Sequence, residues 1–405
     1  MLSSIRRVHE IIWERFRRKG SDLIYNYAEA CGGDPTPEEI RAGIPNPSGW
    51  GLTIEDCCLN AGWLLDGMLE AHRVTGEAQW ADKARRLFDG LASLGEVSHV
   101  PGFVARGYLP GRTEVYPNSS ADQYTAFVYG LVAFARGPLA TDADRSRARD
   151  RVVDVAKRLI SNGECLPRLD GKPMIWGNTG RLSRDRGQRL LLFYKAAHAL
   201  SQDEQWDRRY RNALFEFGGA RQYANHGPAP HLPGGPVYEP FQSQAAWRAL
   251  YELEADPVLR MRFRTAMRLT AQAVIGHIPR LSKWRDDPHP HDLCAWRKNW
   301  QRYATETGNP PPVTIRELSE YGTWVREHVP STGAGGKSSA MGDLRSGLDA
   351  LGVCLFCLEK DVRALAAEAA RPYLEALAVE HIHIVTPLAG LEGAYWRGVA
   401  SGLFE

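Results

Sequence analysis

An alternation between two kinds of helix constrains this chain more than any other feature. "IEDCCLNAGWLLDGMLEAHRVTG" is apolar on several sides, the mark of a helix buried nearly all round. "AQWADKARRLFDGLASLG" follows it and carries one charged face. The pair recurs. "SSADQYTAFVYGLVAFARG" precedes "DRSRARDRVVDVAKRLISNG", and "RGQRLLLFYKAAHALSQ" precedes "QWDRRYRNALFEFGG". "VYEPFQSQAAWRALYELE" precedes "PVLRMRFRTAMRLTAQAVIG", and "MGDLRSGLDALGVCLFCLEK" precedes "DVRALAAEAARPYLEALAVE". "LAGLEGAYWRGVASGLF" closes the series, and no stretch reads convincingly as strand.

A buried helix, a short turn, an amphipathic helix and a long loop repeat about every 50 to 65 residues. A double ring of helices needs this alternation, because inner helices touch neighbours on both sides while outer helices face water. The expected fold is all-α: one α/α toroid of six or seven hairpins, residues 1–405 forming a single domain. The basic amphipathic helix of residues 1–20 serves as the outer partner of the last inner helix. Inner helices are expected to begin near Glu55, Ser120, Arg184, Tyr238, Met341 and Leu391. Two further helical stretches between His289 and His328 supply another hairpin. An open solenoid is the structural alternative.

Composition excludes several classes of function. A formal net charge of +2 over 405 residues does not recruit nucleic acid or a membrane surface. No apolar run approaches the roughly 18 residues that span a bilayer, and the N-terminus lacks the apolar core of a signal peptide. An odd count of seven cysteines suggests no disulfide framework, so a cytoplasmic location is expected. Cys354 and Cys357 form a C-x-x-C, but inside an apolar helix, where packing is the simpler role. Twelve tryptophans and fifteen tyrosines are a heavy aromatic load that suits the apolar faces of sugars.

Connection lengths place the chemistry. Inner-to-outer turns are short, as in "VTGEA" and "LEADP", whereas outer-to-inner connections are long and rich in rings, arginines and histidines. Long loops in a compact domain are usually functional. They gather at the N-terminal ends of the inner helices, where free N–H groups present partial positive charge. The stretch "YPNSSADQYTAF" combines Ser120 and Gln123 at capping-box spacing with Asn118, Asp122 and Tyr124. A cap accounts for the serine and the glutamine. Asn118, Asp122 and Gln123 are therefore candidates for ligand contact, together with Asn178, Arg181 and Arg184 from the next long loop. Arginines at an inner-helix start oppose the helix dipole unless an anion is present. His226, His231 and Tyr238 follow, and "RKNWQRY" contributes Arg297 and Tyr303.

Glu55 and Asp56 read either as first-turn acids or as acids in the cleft. No metal and no cofactor is expected: His289, His291 and Asp292, or His381 and His383, lack further partners at ligand spacing. "STGAGGKSS" resembles a phosphate loop but has Ser331 where the first glycine belongs and no strand before it. "RDDPH" is too short to be a metal–diphosphate motif.

A toroid whose mouth carries rings, carboxylates, arginines and histidines resembles the carbohydrate-active toroids. These comprise six-hairpin glycosidases, sugar epimerases and polysaccharide lyases. The chain is most similar to the thirty-eighth polysaccharide lyase family, which cleaves uronic-acid polymers. The likeness covers the whole chain in architecture and length rather than a short motif. It implies β-elimination on an anionic glycan. That chemistry needs a group that neutralises the uronate carboxylate, a base for the C5 proton and an acid for the leaving oxygen. Asn118, Asn178, Arg181 and His226 supply the first kind of group, and Tyr238 or Tyr303, beside His226 or Arg297, the proton transfer. Arg106, Arg112, Arg181 and Arg184 suit an anionic substrate. The alternative is a glycoside hydrolase with two carboxyl groups roughly 5 to 9.5 Å apart, drawn from Asp56, Asp122, Glu239 and Glu392. A histidine-based epimerase and a non-catalytic binding toroid come behind these.

Overall fold

The computed structural model describes residues 2–18, 20–28, 33–182, 187–223, 237–286, 295–310, 312, 314–329 and 339–404. The architecture is all-α, with 68% helix and 4% strand. The helices are α1 (Ser3–Ile11), α2 (Pro37–Ala42), α3 (Cys57–Thr75), α4 (Ala78–Ser93), α5 (Ala121–Arg136) and α6 (Asp142–Ser161). A two-stranded antiparallel hairpin follows, β1 (Cys165–Pro167) with β2 (Pro173–Asn178). Then come α7 (Gly187–Ser201), α8 (Glu204–Gly219), α9 (Tyr238–Leu253), α10 (Pro257–Val274), α11 (Leu281–Asp286) and α12 (Ala295–Thr307). The last are α13 (Ile315–His328), α14 (Ser339–Phe356), α15 (Lys360–Leu374), α16 (Thr386–Ala389) and α17 (Leu391–Ala400).

The two kinds of helix take the two environments their patterns demand. In α3 every residue from Cys57 to Met68 is buried. In α6 burial is confined to Ala148, Val152, Val155, Ala156 and Leu159, one stripe at helical spacing. Each nearly all-buried helix packs on the amphipathic helix after it: α3 on α4, α5 on α6, α7 on α8, α9 on α10, α14 on α15. The buried helices also pack on one another. α3 meets α5, α5 meets α7, α7 meets α9, α9 meets α14, α14 meets α17, and α17 meets α3 again. Helix α1 lies against α17. Among the described residues no helix is long and apolar enough to cross a membrane.

Three local expectations need correction. The loop after α6 contains the β1–β2 hairpin, where no strand was expected. Ser120 stands at the N-cap of α5 but makes no capping bond; its hydroxyl faces Arg106 Nη1 at 3.4 Å. The Gln123 side chain reaches across to α3, so the capping box is absent. Tertiary partners outcompete the local bond here, whereas Thr141 and Asp144 do close a capping box on α6. Finally, α12 and α13 do not insert between α9 and α14, which touch directly. They form a separate apolar cluster of Trp300, Tyr303, Tyr321, Trp324 and Val325, with Trp50 packed against it.

Candidate active site

A cavity of about 430 Å³ opens at the N-terminal ends of α3, α5 and α9. Asp56, the N-cap of α3, lines it. It accepts from Arg106 Nη2 at 2.5 Å and from Gln123 Nε2 at 2.6 Å. Arg106 is nearly buried and also donates from Nε to the Glu55 carbonyl at 2.6 Å. Gln123 completes the lattice by accepting from the Leu59 N–H at 3.0 Å. The neighbouring Glu55 carboxylate is held by the Tyr27 hydroxyl at 3.0 Å, the Gly51 N–H at 2.9 Å and Asn26 Nδ2 at 3.4 Å. Asp122 in the first turn of α5 accepts from Arg189 Nη1 at 2.5 Å; the arginine is fully buried and the acid stays partly open.

Across the cavity, α9 presents Tyr238, Glu239 and, one turn on, Gln242. The Tyr238 hydroxyl lies 3.5 Å from Glu239 Oε1, and the Arg345 guanidinium of α14 sits 4.7 Å from the Tyr238 ring centre. Burial first, then the negative charges of Asp122 and Glu239, push the Tyr238 phenol well above its usual range, so it keeps its proton at neutral pH. Arg345 in turn faces Asp349 at 3.6 Å. Aromatic walls come from Trp50, from Trp176 on β2 and from Tyr321 on α13. Burial raises the Tyr321 phenol as well.

Of the residues expected at the site, Asp122, Gln123 and Tyr238 share this cavity, though the first and the last are 116 residues apart in sequence (238 − 122). Other expected residues stand elsewhere. Asn118 is buried beneath the loop that carries Trp50, donating to Ser48 Oγ at 2.8 Å, so it shapes the wall rather than lining it. Asn178 ends β2 and accepts from the exposed Arg181 N–H at 3.0 Å. Tyr303 is packed in the α12–α13 cluster with its hydroxyl bonded to Asn309 Nδ2 at 3.1 Å. It faces a different recess, beside Thr307 and Arg316. Glu392 pairs with His9 of α1 and does not line the cavity. His226 and Arg184 lie outside the described residues, as does the side chain of Arg297 on α12.

Sequence reasoning passed over Trp50, Trp176, Gln242, Tyr321 and Arg345. Gln242 alone had a usable signal, since it stands one helical turn after Tyr238. A second cavity, of about 620 Å³, opens where these helices end. Its charges are largely matched internally, Arg73 with Glu70, Arg248 with Glu252 and Arg397 with Asp66, and none of the expected site residues reaches it. Among the described residues no group of three or more histidine, cysteine, aspartate or glutamate side chains is placed to hold a metal ion. No family profile matches the chain, and neither a curated protein nor a solved structure matches it.

Proposed function

We propose that this chain is a carbohydrate-active enzyme of toroidal form that cleaves a uronic-acid-containing glycan by β-elimination. The order of helix contacts, which leaves α3 and returns to it, supports the closed ring. One observation carries the chemistry: a protonated phenol, Tyr238, faces the cavity with a carboxylate 3.5 Å from its oxygen and a guanidinium over its ring. Arg345 neutralises the uronate carboxylate and so acidifies the C5–H bond. The Glu239 carboxylate takes that proton. As the C4–O bond breaks and the C4–C5 double bond forms, Tyr238 protonates the leaving oxygen. The proton on Glu239 then returns to the phenolate over the same short path, and the cycle closes. Trp50 and Trp176 offer rings on which sugar faces stack.

A second reading has its own support: Asp122 and Glu239 share the cavity, as a hydrolase would require. Elimination is favoured over it because hydrolysis must draw its second carboxyl group from acids that are already held. Asp56 and Asp122 are each held by an arginine and Glu55 by three donors, so a proton donor drawn from them must first break its own bonds. Incubation with a panel of uronate polymers, read by the ultraviolet absorbance of an unsaturated product, separates the two. Elimination creates the double bond and hydrolysis does not. Tyr238→Phe should lower turnover by about 10² to 10⁴ with the fold retained, the usual worth of general acid catalysis. Full activity in that variant, with loss in Asp122→Asn and Glu239→Gln and saturated products, would replace elimination by hydrolysis.

A further inference from the structure

Away from the cavity, α1, α4 and α17 bring three ionisable side chains into one line. His9 Nδ1 lies 2.9 Å from Glu392 Oε2, and Lys83 Nζ contacts His9 Nε2. A lysine ammonium only donates. Nε2 is therefore the acceptor, and Nδ1–H is the donor to Glu392. His9 and Glu392 are buried, whereas Lys83 remains partly open to solvent. The amine lies 5.2 Å from the ring centres of both Trp13 and Trp80, and Trp396 packs edge-on against Trp80 at 5.3 Å. The surroundings are unusual in a second, independent way. The indole N–H groups of Trp13, Trp80 and Trp396 and the Glu392 Oε1 atom are all buried without a hydrogen-bond partner among the described residues. Buried polar groups are rarely left unpaired, and several around one cluster indicate a missing ligand or a reactive site.

We propose that Lys83 is a nucleophilic amine that forms an imine with a small aldehyde, with His9 as its base and Glu392 as the group that orients His9. Nucleophile, base and orienting acid in hydrogen-bonded series are the signature of an activated nucleophile. Burial among the indoles also draws the Lys83 ammonium below its usual range, with Glu392 opposing. The step balances within the site. His9 takes a proton from the ammonium, and the free amine adds to the carbonyl carbon. The carbinolamine hydroxyl leaves as water with the proton that His9 returns, and a C=N bond replaces C=O. An uncharged ligand suits a cluster whose lysine and glutamate already balance.

The experiment is to treat the full-length protein at neutral pH with glyceraldehyde and cyanoborohydride and to follow each lysine by peptide mass spectrometry. Lys172 and Lys283, whose side chains are 72% and 67% exposed, are internal references. Lys83 should be modified severalfold faster than either, because burial beside His9 leaves more of its amine unprotonated. In His9→Gln the rate at Lys83 should drop to that of Lys172, with Lys172 unchanged. Modification of Lys83 at or below the Lys172 rate in the unaltered protein overturns the proposal, and that comparison needs no variant to fold. A folded His9→Gln protein with Lys83 still fast would remove the role of His9 and with it the relay.

Discussion

Asp349 follows Arg345 by one turn of α14 and is buried, with its carboxyl pushed up to about 6 by loss of solvent that the arginine only partly offsets. Below about pH 4 the folded and unfolded chains both hold this proton. Between about pH 4 and pH 6 the unfolded chain releases it and the folded chain keeps it, so stability falls as pH rises through that window and levels off above it. The full difference is about 3 kcal/mol, two pKa units. Asp349→Asn should therefore be more stable than the parent at pH 7, with the gap closing toward pH 4, as urea unfolding at a series of pH values will show. The pair of Asp66 with Arg397 is closer, and its carboxylate also accepts from the Tyr129 hydroxyl at 2.7 Å. Arg397→Met strands a buried acid and should cost about 3–5 kcal/mol in urea unfolding, while adding Asp66→Asn should recover part of that.

Among the elements, the contact between α3 and α5 depends on the absence of side chains. A Cβ on Gly62 would lie 2.5 Å from the Ala126 carbonyl oxygen, and one on Gly130 would lie 3.3 Å from the Gly62 Cα. These two buried backbones touch, and neither can retreat without disturbing the amphipathic helix packed on it, α4 or α6. Gly342 in α14 is exposed, with nothing within 4 Å of its Cβ position. Gly62→Ala should thus destabilise by about 1–3 kcal/mol through overpacking. Gly342→Ala should stabilise by up to about 1 kcal/mol through helix propensity. Thermal unfolding of the two variants checks the opposite signs. The same reasoning explains why α5 begins without a capping box: where an element is buried at its end, neighbours and not local sequence choose its hydrogen bonds.

For the whole molecule, α17 is decisive because it touches both α14 and α3, elements whose starts are 282 residues apart in the chain (339 − 57 = 282). Gly67 of α3 approaches it so closely that a Cβ would meet the Gly393 nitrogen at 3.0 Å. A chain ending at Ala389 should lose most of its cooperative unfolding transition in calorimetry, since two buried helix faces open at once. An open solenoid, stabilised repeat by repeat, would instead keep most of it. A glycan bound in the cavity between α3, α5 and α9 should raise the transition temperature with concentration, as any ligand of the folded state does.

The alternation of all-round and one-sided apolar stripes was enough to assign the helices and to tell those buried nearly all round from those buried along one stripe. It also located the starts of α9 at Tyr238 and α17 at Leu391. Loop length predicted that Asn118, Asp122, Arg181, His226 and Tyr238 would line one cavity; Asp122 and Tyr238 do, Asn118 and Arg181 stand elsewhere, and His226 lies outside the described residues. Which side chain of a wall faces the cavity was not legible. Tyr303 and Tyr321 are both aromatic residues of the α12–α13 hairpin, yet only Tyr321 lines the cavity. Asn118 was expected at a ligand and holds the Trp50 loop instead. Arg345 lies in mid-helix, without any local mark of function. A helical period specifies that a face is apolar or polar. The rotation of that face toward a neighbour, a solvent surface or a cavity is set by contacts between helices hundreds of residues apart, and only the packed molecule contains them.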